Sequence, residues 1–108
     1  MPSEFFQIAV SSQRELCVAG TIDLTNVVVA CAIGRGFIDT VSHVRVNLSD
    51  LKSADSSCLA MLVDWLRCAK LQGKDIQFCN MPQFMLDLGR VCGLDAILPI
   101  SKPLQFQN

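Results

Sequence analysis

The stretch Val44–Gly73 constrains the fold more than any other part of the chain. Val44, Val46 and Leu48 place apolar side chains at every second position, the signature of a strand with one buried face. A polar segment, Ser49–Asp55, follows and reads as a loop. The period then changes: Leu59, Leu62, Leu66 and Ala69 recur at helical spacing, predicting a helix from about Ser56 to Gln72. Lys70 in its last turn and Gly73 just beyond it are C-terminal signals. A strand leading straight into a long amphipathic helix is half of a crossover unit, so a parallel strand is expected next. Ile76–Cys79 supplies it.

The junction of loop and helix carries the side chains of chemical interest: Asp55, Ser56, Ser57 and Cys58. Asp55 suits the N-cap position, where a carboxylate accepts N–H groups of the first turn. Ser56 and Ser57 then lie in that turn, where the helix dipole favours negative charge. Two readings stand: the serines belong to a plain cap, or a hydroxyl there accepts a phosphate or contacts an anion. Cys58 invites a third, a thiol activated by the helix N-terminus, but no base is paired with it in the sequence. On the helical wheel Val63 and Trp65 flank the apolar stripe. Asp64, Arg67, Met61 and Cys68 point outward, Met61 and Cys68 on the side next to Trp65.

The rest of the chain fits the same scheme. Phe5–Val10 and Leu16–Ala19, separated by the polar turn Ser11–Glu15, predict a hairpin. Gly20-Thr21-Ile22-Asp23 follows, and Thr25 or Asn26 can cap a helix through Val27–Ile33 that Gly34 and Gly36 end. Gly34-Arg35-Gly36 is no dinucleotide fingerprint, since the third glycine and the strand-turn context are missing. His43 opens the central strand, with no partner that would make it a catalytic base. After Ile76–Cys79, Asn80-Met81-Pro82 turns the chain into a helix with Pro82 at its first position. Phe84, Leu88 and Val91 recur along it, and Gly93 closes it. Leu94–Ile100 is a short apolar return. The expected fold is α/β: one domain over residues 1–100 and a loose tail over 101–108. Its sheet is mixed and mostly parallel, four-stranded, with an N-terminal antiparallel hairpin and helices mainly on one face.

Composition narrows the function. With nine Lys and Arg against ten Asp and Glu, the chain lacks the basic patch that nucleic acid or an anionic membrane surface requires. Charged residues make up only 18%, below the usual quarter, which suits a chain whose apolar surface a partner covers. The six cysteines form no C-x-x-C pair and there is one His, so neither a zinc site nor any other metal or cofactor is expected. The thiols read as reduced core residues of a cytoplasmic protein. No signal-type N-terminus or spanning segment is present in Met1–Asn108, and direct membrane insertion is not expected.

Several of these segments together resemble a family. Gly20-Thr21-Ile22-Asp23 is similar to the G-E-[LI]-D turn of STAS domains. Val46-Asn47-Leu48-Ser49, followed by Ala54-Asp55-Ser56-Ser57-Cys58-Leu59-Ala60, resembles their central strand and D-[ST]-[SG]-G-L segment. The resemblance runs from about Leu16 to Pro99, with Thr21 in place of the usual acidic residue and Cys58 in place of the usual glycine. Leu59–Gly73, Ile76–Cys79 and Leu94–Pro99 look closer to the small cytoplasmic subunit of Mla-type phospholipid-transport ABC complexes than to the anti-sigma factor antagonists of the family.

The resemblance implies a non-catalytic subunit that binds and supports the transporter's ATPase, at the inner membrane only through that complex. The other reading it implies is an antagonist, switched by phosphorylation at Ser56, that captures a regulatory kinase. Either way the partner surface is expected at the strand-to-helix loop and the first helical turns. It would be an apolar patch around Cys58 and Met61, rimmed by Asp23, Asp55, Ser56 and Ser57.

Overall fold

The computed structural model describes residues 6–101. Strand β1 (Phe6–Val10) pairs antiparallel with β2 (Leu16–Ile22), Phe6 opposite Gly20 and Val10 opposite Leu16. The hydroxyl of Ser11 ties the turn by accepting the N–H groups of Gln13 and Glu15, both at 3.2 Å. The chain then alternates: α1 (Val27–Ile38), β3 (His43–Ala54), α2 (Ser56–Leu71), β4 (Asp75–Cys79), α3 (Gln83–Val91) and β5 (Ile100–Ser101). The sheet order is β1-β2-β3-β4-β5, and every pairing after the hairpin is parallel. Each crossover thus steps one strand in the same direction. Right-handed crossovers then lay all three helices on one face. The expected four strands are present, and the two-residue β5 extends the sheet beyond β4.

The strands alternate as that layering demands. Val44, Val46 and Leu48 of β3 and Ile76 and Phe78 of β4 are buried beneath the helices, while Arg45 and Gln77 face water. Trp65, Phe78, Leu48, Leu59 and Leu62 are among the largest fully buried side chains, and α2 lies across the middle of this core. The open face of the sheet holds a polar chain instead. Glu15 accepts from Arg45 Nε and Asn47 Nδ2, both at 3.2 Å, and Asn47 Oδ1 accepts from Asn80 Nδ2 at 3.1 Å.

Three expectations change. Ser49–Asp55 is not a loop, because β3 continues to Ala54. Its register against β2 shifts between Cys17 and Ala19 and again between Gly20 and Thr21. Each shift sets an extra β3 residue opposite β2, which re-phases the strand so that Leu48 and Leu51, three apart, are both buried. Nor does α1 end at Gly34. It runs through both glycines to Ile38, and at Gly34 the Trp65 ring of α2 lies against it: a Cβ there would lie 2.1 Å from that ring. Pro82 takes the N-cap of α3 rather than its first helical position, and the buried residues of that helix are Met85 and Gly89. Phe84 and Val91 are exposed, so the inward face sits one residue round from the Phe84–Leu88–Val91 stripe. The expected start of the first strand at Phe5, and the tail from residue 102, lie outside the described residues.

Candidate functional site

The C-terminal ends of β2 and β3 lie side by side, Ile22 opposite Ala54, and the N–H of Asp55 donates to the Ile22 carbonyl at 3.3 Å. This brings Asp23 and Asp55 to one edge of the sheet, as the parallel pairing of their strands predicts. Both carboxylates organise the turn they begin. Asp55 caps α2, accepting the Ser57 N–H at 2.9 Å and the Ser57 hydroxyl as well. Asp23 Oδ1 accepts from the Thr25 N–H at 2.9 Å and its hydroxyl at 2.5 Å, and these bonds hold its carboxyl below the usual aspartate range. Asn26 stands at the N-cap of α1, but its side chain reaches backward. It accepts from the Asp23 N–H at 3.0 Å and donates to the Thr21 carbonyl at 2.8 Å.

These two turns open onto a groove of about 570 Å³ between the start of α1 and the start of α2. Leu24, Val27, Val28 and Cys31 form one wall. Asp55, Ser56 and Ser57 lie at the mouth, and Ala60, Met61 and Asp64 continue along α2. Ser56 is exposed in the first turn of α2, at the mouth of the groove. The far end is closed by a bridge between the helices. Arg35 Nε and Nη2 bind both Asp64 oxygens, at 2.7 and 3.0 Å, and the Cys31 thiol donates to Asp64 Oδ2 at 3.1 Å. The Trp65 indole donates to the Cys31 carbonyl at 3.0 Å. The Arg35 guanidinium holds the Asp64 carboxyl below its ordinary value, whereas burial pushes the Cys31 thiol up to about 11.

Of the residues expected at the site, Asp55, Ser56, Ser57 and Met61 line the groove, and Asp23 stands beside its mouth. The expected apolar patch around Cys58 and Met61 is corrected. Cys58 is fully buried and Met61 is 2% exposed, its side chain no more than the groove's floor. The reason is α1. It occupies the flank of α2 that carries Met61 and Trp65, so α2 buries a wider arc than a helix lying on a sheet alone. Asp64, expected in free solvent, is engaged by the same neighbour.

Leu24, Val27, Val28 and Cys31 were not expected at the site. The signal was present in the three consecutive valines of α1, which packing on one face cannot absorb. Burial lifts the Cys58 thiol to about 12, which removes the helix-activated thiolate from consideration at neutral pH. His43 lies at the opposite end of β3, exposed, with Nδ1 2.6 Å from Asp75. Among the described residues no three of His, Cys, Asp and Glu gather as a metal-binding group, and no helix is long and apolar enough to cross a membrane.

A model of the Mlab STAS-domain family matches residues 8–99. Among solved structures, the chain is similar to the anti-sigma factor antagonist SpoIIAA in its unphosphorylated form. The TM-score is 0.68 at 17% identity, covering 91% of this chain and 89% of that one. The phosphorylated form of the Bacillus protein gives a TM-score of 0.64 at 18% identity, covering 91% and 92%. An anti-sigma-factor antagonist (STAS) domain protein from Planctomyces limnophilus gives 0.69 at 14% identity, covering 93% and 92%. At these identities the likeness is one of fold. A comparison with curated proteins finds no match.

Proposed function

The chain belongs to the STAS domain family, and within it we propose a non-catalytic subunit that binds and supports the ATPase of an Mla-type ABC transporter in phospholipid trafficking. STAS domains are generally regulatory or binding domains rather than catalysts. The observation that carries the reading is the match of residues 8–99 to the Mlab family in particular. The site supports it in kind: an open apolar groove with a polar mouth suits a protein interface, while the buried, proton-bearing Cys58 offers no nucleophile. The subunit works at the cytoplasmic side of the inner membrane, held there by its partners.

A second reading is favoured by one feature. Ser56 stands exposed at the N-terminus of α2 directly after Asp55, where the helix dipole stabilises an added phosphate. An anti-sigma factor antagonist switched at that serine by a regulatory kinase would need this geometry. Co-purification separates the two. Tagged chain expressed with the ATPase and permease of an Mla-type transporter from the same organism should retain the ATPase through gel filtration. Loss of the ATPase at that step, together with phosphate incorporation at Ser56 by an anti-sigma kinase from the same organism, would establish the second reading instead.

A further inference from the structure

Helix α1 has two apolar faces and only one of them is covered. Ala30, Gly34, Phe37 and Ile38 are buried against the core. At about 100° per residue, Arg35, Val28, Ala32, Gly36, Val29 and Ile33 span the opposite side, an arc of about 160°. Arg35 is the one charged residue in all 12 of the helix, and Asp64 already holds it on both oxygens. Val28 is 78% exposed, Val29 57% and Ile33 44%, and Leu24, just before the helix, is 77% exposed. A helix apolar on all sides belongs inside a structure, and at 12 residues this one is too short to span a bilayer. Leu24 and Val28 also line the groove, so the exposed stripe borders the groove along one edge.

We propose that an amphipathic helix of the partner protein lies along α1, its apolar stripe on Val28, Val29 and Ile33, with a lysine or arginine reaching the carboxylates of Asp23 and Asp55. This rests on the partner reading above and names the chemistry of the partner's contact. Charge selects the occupant. The mouth of the groove carries Asp55, with Asp23 beside it, and the stripe offers no unengaged cation to balance them. An anionic lipid surface would be repelled at that end. A second copy of the chain would bring a second acidic mouth and no spare cation on its own α1. A basic amphipathic helix satisfies both the apolar stripe and the carboxylates.

The test uses the full chain and the purified ATPase subunit of an Mla-type transporter from the same organism, read by calorimetric titration at two salt concentrations. Val29→Asp and Ile33→Asp alter exposed positions, so the thermal midpoint should hold while affinity falls by about tenfold or more. Asp23→Asn with Asp55→Asn, which keeps a competent cap, should weaken binding and flatten its salt dependence. Binding by both α1 variants within about twofold of the parent overturns the proposal and leaves the ATPase reading intact. Failure of the parent chain itself to bind sinks the ATPase reading and this occupant with it. A parent chain that dimerises in sedimentation and is dispersed by Val29→Asp, or that binds phosphatidylglycerol vesicles, overturns the proposal in favour of a second copy or a lipid surface.

Discussion

Gly34 is the residue on which the seam between α1 and α2 closes. Its missing side chain lets the Trp65 ring lie against the α1 backbone, and the indole N–H finds the Cys31 carbonyl one turn earlier. A methyl group would overlap a buried ring that has no flexible end to withdraw. Gly34→Ala should therefore cost about 3 kcal/mol in chemical denaturation, although alanine is ordinarily the better helix former. Met61 makes a matching case. Placed by the wheel on an outward flank, it is enclosed by α1, and a carboxylate there would be buried without a partner. Met61→Asp should lose about 4 kcal/mol or more and unfold the chain much as Leu62→Asp does. A melt within a few degrees of the parent would show that α1 does not cover that flank.

The bridge from Arg35 to Asp64 holds the same seam electrostatically, and its worth is modest because Arg35 is more than half exposed. Its pH dependence has a definite sign. The folded state depresses the Asp64 carboxyl, chiefly through the Arg35 hydrogen bonds. That contribution is complete above the unfolded aspartate range, near pH 4, and disappears as pH falls through the lower folded value. Asp64→Asn should lower stability at neutral pH and flatten the acid limb of a stability curve. An unchanged acid limb would assign that limb to other carboxylates.

At the scale of elements, the order of strands and helices was legible in the residues because it rests on long periodic segments. Val44, Val46 and Leu48 mark a strand, and Leu59, Leu62 and Leu66 mark a helix, whatever surrounds them. The Asp55 cap was legible for a similar reason, since its bond to the Ser57 N–H is local. What could not be read depends on neighbours distant in sequence. The polar run Ser49–Ala54 is a strand because β2 pairs with it through two register shifts. Gly34 sits inside a helix because Trp65, thirty-one positions away, needs the space. The groove has two walls, and only the α2 wall announced itself; the α1 wall becomes visible when the valines of α1 are seen to lack a cover.

For the whole molecule, the layering leaves one end of the sheet chemically distinct. Strands β2 and β3 deliver Asp23 and Asp55 to that end, α1 and α2 rise from it, and the groove between them is the surface the fold leaves open. The proposed role as a docking subunit requires that the groove can be closed without disturbing the core. Ala60 offers the means. It is exposed on α2, lines the groove, and contributes nothing to the buried arc of the helix. Glutamate is nearly as good a helix former as alanine, so Ala60→Glu should melt within a few degrees of the parent chain. The decisive measurement is calorimetric titration of the proposed ATPase partner into the parent chain and into Ala60→Glu. A single-site isotherm for the parent, weakened by about tenfold or more in the variant (about 1.4 kcal/mol per tenfold), is the predicted result; equal affinity for the two chains at equal stability would contradict a partner seated in the groove.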